Sequence, residues 1–453
     1  MIISAEAAKE KVAFPPGMGN AYLFATFNAL SFQIIINSPM VLYAKSLRAT
    51  ATVLGIVVGM MPLLVVFQIP AAHYVGRVGY RRFVYAGWGT RVMFIFGMAL
   101  VPLTWRFLTP ATQISLLLML LFGFNLSRGI SSAGWLPWIT ALVPGEVRGR
   151  YLARDAACVS MASFTVFLLA AFWLGTHPKP WQFAALFAFS AAMGATSLIF
   201  LKRIPEIEVP PERRVSNVPV PWAEMLRFPP FRKILKTVVA WSFAYGGVTA
   251  FTVAFLKEQI VMPERTILLV NSLFFVGGLS SMWFLGLRLD HFGSKPVLTF
   301  AIFLWLLIIA AWALIAGKLM PFNLGFILGL HFVMGLFAAL VNMSNTRLVM
   351  AVVPVMGRDH FFALFSVLSN VVLGLSPIFW GLLIDAVGSM QMPYLWLEWN
   401  RFTVFFVGVI GALLASLYYV RHLEEPHAAS LEHLLHDILI QSPQRVFLRL
   451  WPR

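Results

Sequence analysis

"GLRLDHFGSKPV", residues 286–297, is a short polar stretch between two long apolar ones. Ahead of it runs "TILLVNSLFFVGGLSSMWFL" and behind it "LTFAIFLWLLIIAAWALIAG", neither containing an Asp, Glu, Lys or Arg. A helix rises 1.5 Å per residue, so about twenty such residues cross the ~30 Å hydrocarbon core of a bilayer. The quoted stretch therefore reads as a loop at one membrane face. A blurred copy, "AHYVGRVGYRRFV" (72–84), stands near the N-terminus.

The whole chain extends this pattern. With 60% hydrophobic and 11% charged residues over 453 positions, it cannot be a soluble globule. Windows free of Asp, Glu, Lys and Arg run over 20–44, 49–72, 156–176, 181–201, 237–256, 266–287, 296–317, 319–346, 360–384 and 402–420. Two more, 83–105 and 107–141, are as apolar except for Arg91 and Arg128. The expected fold class is an all-α membrane protein with twelve transmembrane helices. The first span reads as a retained helix rather than a cleaved signal, because nineteen mixed residues including Glu6 and Glu10 precede it. The single cysteine, Cys158, allows no intrachain disulfide and reads as a small apolar filler.

A net charge of +16 raises the question of a nucleic-acid partner, and its distribution answers it. Loops on the side of the N-terminus carry roughly three times as many Lys and Arg as those on the other side. By the positive-inside rule both termini are cytoplasmic, while Lys45, Lys179 and Lys318 face outward. The charge is topological, and no nucleic-acid partner is expected.

Midway, "KRIPEIEVPPERRVSNVPVPWAEMLRFPPFRK" (202–233) is crowded with proline and charge and reads as a cytoplasmic linker. The expected organisation is a cytoplasmic leader (1–19), a six-helix bundle (20–201), the linker (202–233), a second six-helix bundle (234–420) and a cytoplasmic amphipathic tail (421–453). The halves echo one another. "VPGEVRGRYLA" from Val143 aligns with "VPVMGRDHFFA" from Val353, pairing Pro144 with Pro354, Arg148 with Arg358 and Ala153 with Ala363 at an offset of 210. Gly79 and Gly293 are 214 apart. Parallel six-helix repeats are a transporter architecture.

From Asn20 to about Val420 the chain resembles the major facilitator superfamily, in particular its bacterial members. That family's loop signature is Gly, three residues, Asp, a basic residue, an aromatic, Gly, then one or two basics; Gly286, Asp290, His291, Phe292, Gly293 and Lys295 fill those places. In the second loop Gly79, Arg81 and Arg82 fit, but Ala72 replaces the first Gly and Gly76 the Asp. "WLPWITALVPGEVRGRYLARD" is similar to the end of helix 4 and its following loop. Gly286 and Gly293 permit a tight turn and close backbone approach, and Asp290 can accept from amides at a helix N-terminus. The resemblance implies that Asp290 latches one half to the other near Arg150 and Arg154, with Arg148 and Arg358 in the paired loops. With Gly76 in place of the symmetric Asp, the gate is expected to be lopsided. A plain solvated turn is the competing reading of Asp290.

The resemblance also implies that helices 1, 4, 7 and 10 line a central cavity. Each carries polar residues at helical spacing: Asn28, Gln33 and Asn37 on helix 1; Asn125, Arg128 and Ser132 on helix 4; Trp241 and Tyr245 on helix 7; His331, Asn342 and Asn345 on helix 10, on a stripe with Gly335 and Ala338. Simple interhelical bonding is the bland alternative for each. No carboxylate falls within a span; Asp155 is expected to open helix 5 and Asp385 to close helix 11. His331 is the only mid-span group that titrates near neutrality, as a coupling group or as a packing residue. For Arg91 and Arg128 three readings stay open: both are structural pins, Arg128 alone faces the cavity, or both do. Arg128 resembles the arginine the family often carries on helix 4, although Ser132 stands where a Gly would follow.

In the tail, Leu431, Leu434, Leu435 and Ile438 share one helical face and His433 and His436 another, which suits an amphipathic helix on the inner membrane face. The two histidines lack a closing metal ligand. No phosphate loop or nucleophile constellation appears, so neither an enzyme nor a cofactor is expected. The reading is a monomeric, multi-pass transporter of the bacterial inner membrane, moving a small solute, with an organic anion or a zwitterion favoured by Arg128. The rival is a non-transporting protein of the same fold, serving membrane assembly or pigment delivery.

Overall fold

A computed structural model of the chain describes residues 16–207, 222–281, 292–352, 358–394, 396–425, 432 and 434, without the side chains at 145–146, 148–149, 351–352 and 358–360. Twelve long helices follow in order: α1 Gly19–Ser46, α2 Ala51–Val78, α3 Tyr80–Arg106, α4 Pro110–Leu142, α5 Gly145–Leu174, α6 Pro180–Lys202, α7 Pro229–Glu258, α8 Glu264–Ser281, α9 Ser294–Ala316, α10 Leu324–Val352, α11 Arg358–Val387 and α12 Arg401–Arg421. A short helix, Trp222–Arg227, precedes α7. Before α12, β1 (Met392–Tyr394) pairs antiparallel with β2 (Leu397–Trp399). Eleven of the helices are long and apolar enough to cross a membrane. The remaining one, α8, covers the start of the expected span 266–287, whose last residues lie outside the described set. The amphipathic tail and its histidines also lie outside it, apart from Glu432 and Leu434.

Several helices are broken where the sequence dictates. In α1, Asn37 is extended (φ −125°, ψ −159°) two residues ahead of Pro39, which cannot donate to the preceding turn. Pro62 in α2 is followed by a 3-10 turn at Leu64–Phe67. In α7 the helix stops at Tyr245 and restarts after Gly247, whose φ of +87° is a left-handed conformation suited to glycine. A broken helix in a bilayer must have its freed carbonyls satisfied by neighbours. Here α11 supplies the donors: Ser376 Oγ bonds the carbonyls of Phe243 (2.5 Å) and Gly246 (3.1 Å), and Trp380 Nε1 bonds Phe243 (3.0 Å).

The two six-helix halves meet through α2 against α11 and α5 against α8. Those pairs exchange under the internal repeat, in which helix 2 corresponds to 8 and helix 5 to 11. The repeat extends to backbone detail. Gly79 precedes α3 with φ 88° and ψ 152°, and Gly293 precedes α9 with φ 84° and ψ 171°. Both need the freedom of glycine, which is why the two loops share it. One expectation is corrected: α5 starts at Gly145, so Asp155 lies ten residues inside the helix rather than opening it. Val143 and Pro144, both extended, mark the true break between α4 and α5, and the charge-free window began too late to see it.

Candidate functional site

Arg91 lies eleven residues into α3 and is 1% exposed. Its guanidinium donates to Asn28 Oδ1 of α1, an oxygen that also accepts from Trp88 Nε1 at 3.2 Å. It sits 5.0 Å from the centroid of the Trp88 ring and 5.4 Å from that of Phe124. Aromatic faces and an amide oxygen thus replace water around this charge, although its Nε stays without a hydrogen-bond partner. Arg128, eighteen residues from the start of α4 and fourteen from its end, is only half-buried. Among the described residues no carboxylate pairs with either arginine.

Beyond this cluster, α1 and α5 share a polar chain. Gln33 Nε2 donates to Ser163 Oγ at 2.8 Å, and Asn37 Nδ2 donates to Gln33 Oε1. Asn125, buried, donates to the Leu121 carbonyl at 2.9 Å and leaves its own Oδ1 without a partner. The Asn28, Gln33 and Asn37 side chains are therefore engaged within the first half.

In the second half, Trp241 and Tyr245 stack at 5.4 Å, and both meet Trp305 of α9 edge-on at 5.5 Å. His331 is buried, with a ring nitrogen 3.1 Å from the Ile327 carbonyl and its ring edge-on to Trp312 of α9 at 5.5 Å. Asn342 is exposed, whereas Asn345 is buried with an unpartnered Oδ1. Gly335 is packed so closely on α8 that a Cβ there would collide with the Phe274 carbonyl. Of the expected helix 10 stripe, His331 thus packs against α9 and Gly335 against α8, while Asn345 is buried and Asn342 exposed. A spacing of three and four fixes a helical face but not the neighbour it meets.

Among the described residues, the helix ends away from the chain termini, here the far face, carry bonds between the halves. Lys45 at the end of α1 pairs with Glu258 at the end of α7, and Arg401 also reaches Glu258 at 2.5 Å. Asp385 of α11 accepts from the backbone amides of Ala51 (3.0 Å) and Thr52 (2.8 Å) and from Thr52 Oγ1 (2.6 Å). It caps the N-terminus of α2 from the other half of the molecule, where exposed amides and the helix dipole favour an anion. The Arg265 amide donates to the Gly175 carbonyl at 2.9 Å. Lys45, Glu258, Asp385 and Arg401 border a cavity of about 490 Å³. Below it α2 and α11 touch backbone to backbone, since a Cβ at Gly55 or Gly59 would strike the carbonyls of Pro377 or Gly374.

At the opposite, terminal face, Arg81 pairs with Glu206 at 2.7 Å within the first half. Glu425 accepts from the amides of Ser294 (2.9 Å) and Lys295 (2.7 Å), capping α9, while Lys295 Nζ donates to the carbonyls of Arg421 and Leu423. Arg150 is exposed near the start of α5. Gly286 and Asp290 lie outside the described residues, as do the side chains of Arg148 and Arg358. The sequence places Lys45 at the outer side and Asp385 at the end of helix 11, but does not show their partners in the opposite half, nor the roles of Glu258, Arg401 and Glu425. Its available signal was a handful of lone charges at the ends of spans.

The major facilitator superfamily model matches residues 21–262 and again 249–451. Solved structures with the same fold include a mutant of the nucleoside transporter NupG (TM-score 0.69, 12% identity, covering 90% of this chain and 100% of that one). Another is a D-xylose-proton symporter (0.69, 13%, 90% and 98%). A third is the xylose transporter XylE from E. coli in an inward-open conformation (0.63, 15%, 92% and 97%). At such identities the likeness establishes the fold and no substrate. No match is found among curated protein sequences.

Proposed function

The chain belongs to the major facilitator superfamily, and on that premise we propose that it moves a small organic anion or a zwitterion across a bacterial inner membrane by alternating access. Both termini, the linker and the terminal face are then cytoplasmic, and the protein works as a monomer. One observation carries the substrate class: Arg128 stands half-buried near the middle of α4 with no carboxylate partner among the described residues. A cation there costs about 2.5–3.5 kcal/mol on insertion scales unless something compensates it. A bound anion supplies that compensation. Arg91, enclosed by Asn28, Trp88 and Phe124, holds the site's positive field in place behind it.

The far-face bonds support the access cycle. Lys45–Glu258 and the Asp385 cap tie the halves at one end, which suits a conformation closed at that face. His331, packed against α9, is the less suitable coupling group, and a uniporter, or a symporter that uses the substrate's own charge, fits the arrangement. Uptake of radiolabelled carboxylates, phosphate esters and amino acids into proteoliposomes tests the reading. Saturable uptake of an anion or zwitterion by the wild type, lost in folded Arg128→Gln, is the expected result. Uptake of simple cations, or normal uptake by Arg128→Gln, contradicts it. No uptake of any solute by well-folded protein leaves the assembly-factor role in its place.

A further inference from the structure

Between α3 and α6, at the terminal face, lies a groove of about 620 Å³ lined by Tyr85, Ala195, Leu198, Ile199, Lys202 and Arg203. Ala195, Leu198, Ile199 and Lys202 are spaced i, i+3, i+4 and i+7, so they form one face of α6. That helix has 23 residues, about 35 Å, which puts Lys202 at the membrane boundary and Ala195 about 10 Å below it. The groove is thus polar at its mouth and apolar along its depth. Ile199 is 53% exposed and Tyr85 40% exposed, the latter an aromatic with a hydroxyl at the level where such groups meet headgroups.

Charge at the mouth is one-sided. Lys202 and Arg203 are exposed and make no ion pair or side-chain hydrogen bond among the described residues, and Arg82 is exposed at the same end of α3. The nearby acid, Glu206, is already paired with Arg81. Two free cations above an apolar wall match an amphiphile with an anionic head, because charge-assisted bonds to phosphate oxygens are the strong ones and the chains lie on Leu198 and Ile199. We propose that this groove binds the phosphodiester headgroup of an anionic phospholipid, with its acyl chains against α6. The site is separate from the transport pathway and does not depend on which solute is carried.

Native mass spectrometry of the detergent-purified full chain tests it with phosphatidylglycerol, phosphatidylcholine of the same acyl chains, and free glycerol phosphate. The wild type is expected to retain phosphatidylglycerol at least threefold more than phosphatidylcholine and to hold no glycerol phosphate. Lys202→Gln/Arg203→Gln should abolish that preference, whereas Arg106→Gln, an exposed cation at the other end of α3, should preserve it. Ile199→Trp fills the apolar half while keeping both cations, and should also lose the lipid. Equal retention of the two lipids by wild type, or an unchanged preference in both groove variants, overturns the proposal. So does retention of glycerol phosphate equal to that of the lipid, which would mark a free-phosphate site.

Discussion

Arg91 and Arg128 stand in neighbouring helices within the membrane, and the molecule treats their charges differently. The first is wrapped by Asn28, Trp88 and Phe124; the second is half-buried and has no carboxylate partner among the described residues. Replacing Arg91 removes a charge-assisted hydrogen bond and two cation–π contacts while leaving a gap between α1, α3 and α4. Arg91→Gln is therefore expected to destabilise the fold by about 1–3 kcal/mol, read as a lowered melting temperature in detergent. Arg128→Gln should melt close to wild type and lose uptake. The reverse assignment of effects would show that Arg91 is the substrate group. Sequence alone exposed both arginines as anomalies but left their roles open, because what separates them is the Asn28 amide, 63 positions from Arg91 along the chain. The same holds for His331: its packing against Trp312 of α9 is a tertiary fact that no periodicity along α10 encodes.

Among the elements, the spans were legible because an uncharged apolar run of bilayer length is stable in few settings besides a membrane. Helix breaks were not. Asn37, Pro62 and Gly246–Gly247 lie inside charge-free windows, and in α7 the break is tolerated because Ser376 and Trp380 of α11 satisfy its freed carbonyls. Ser376→Ala strips Gly246 and Phe243 of a donor, and its cost is expected at about 1–2 kcal/mol of thermal stability. The α2–α11 contact makes a sharper prediction. Gly59→Val forces the Gly374 carbonyl away, so the far-face closure should loosen and a cysteine placed at Thr50 should react faster with a membrane-impermeant maleimide in a Cys158→Ser background. An unchanged labelling rate in a folded variant would mean that this close approach does not hold the face shut. The matched glycines 79 and 293 were legible at both levels, since a left-handed turn leaves glycine as its mark in the sequence.

For the molecule as a whole, the two-fold repeat was visible in the sequence. The far-face lock was not, because it joins residues from opposite halves, such as Asp385 with Ala51 and Thr52. Reporter fusions after Lys179 and after Arg227 should fall on opposite sides of the membrane; the same side would refute the twelve-span topology. The central claim is that two halves rock about a fixed site, closed here at the far face. Pulsed dipolar spectroscopy in lipid nanodiscs measures this directly, with spin labels at Ser46 and Ser389 for the far face and at Arg150 and Thr346 for the terminal face, all exposed positions, in a Cys158→Ser background. Lys45→Ala/Asp385→Asn removes the ion pair and weakens the helix cap. This variant is expected to gain a longer far-face distance together with a matching shorter terminal-face distance. Distances at both faces that stay single and unchanged in the folded variant would contradict the rocking mechanism and mark a rigid scaffold.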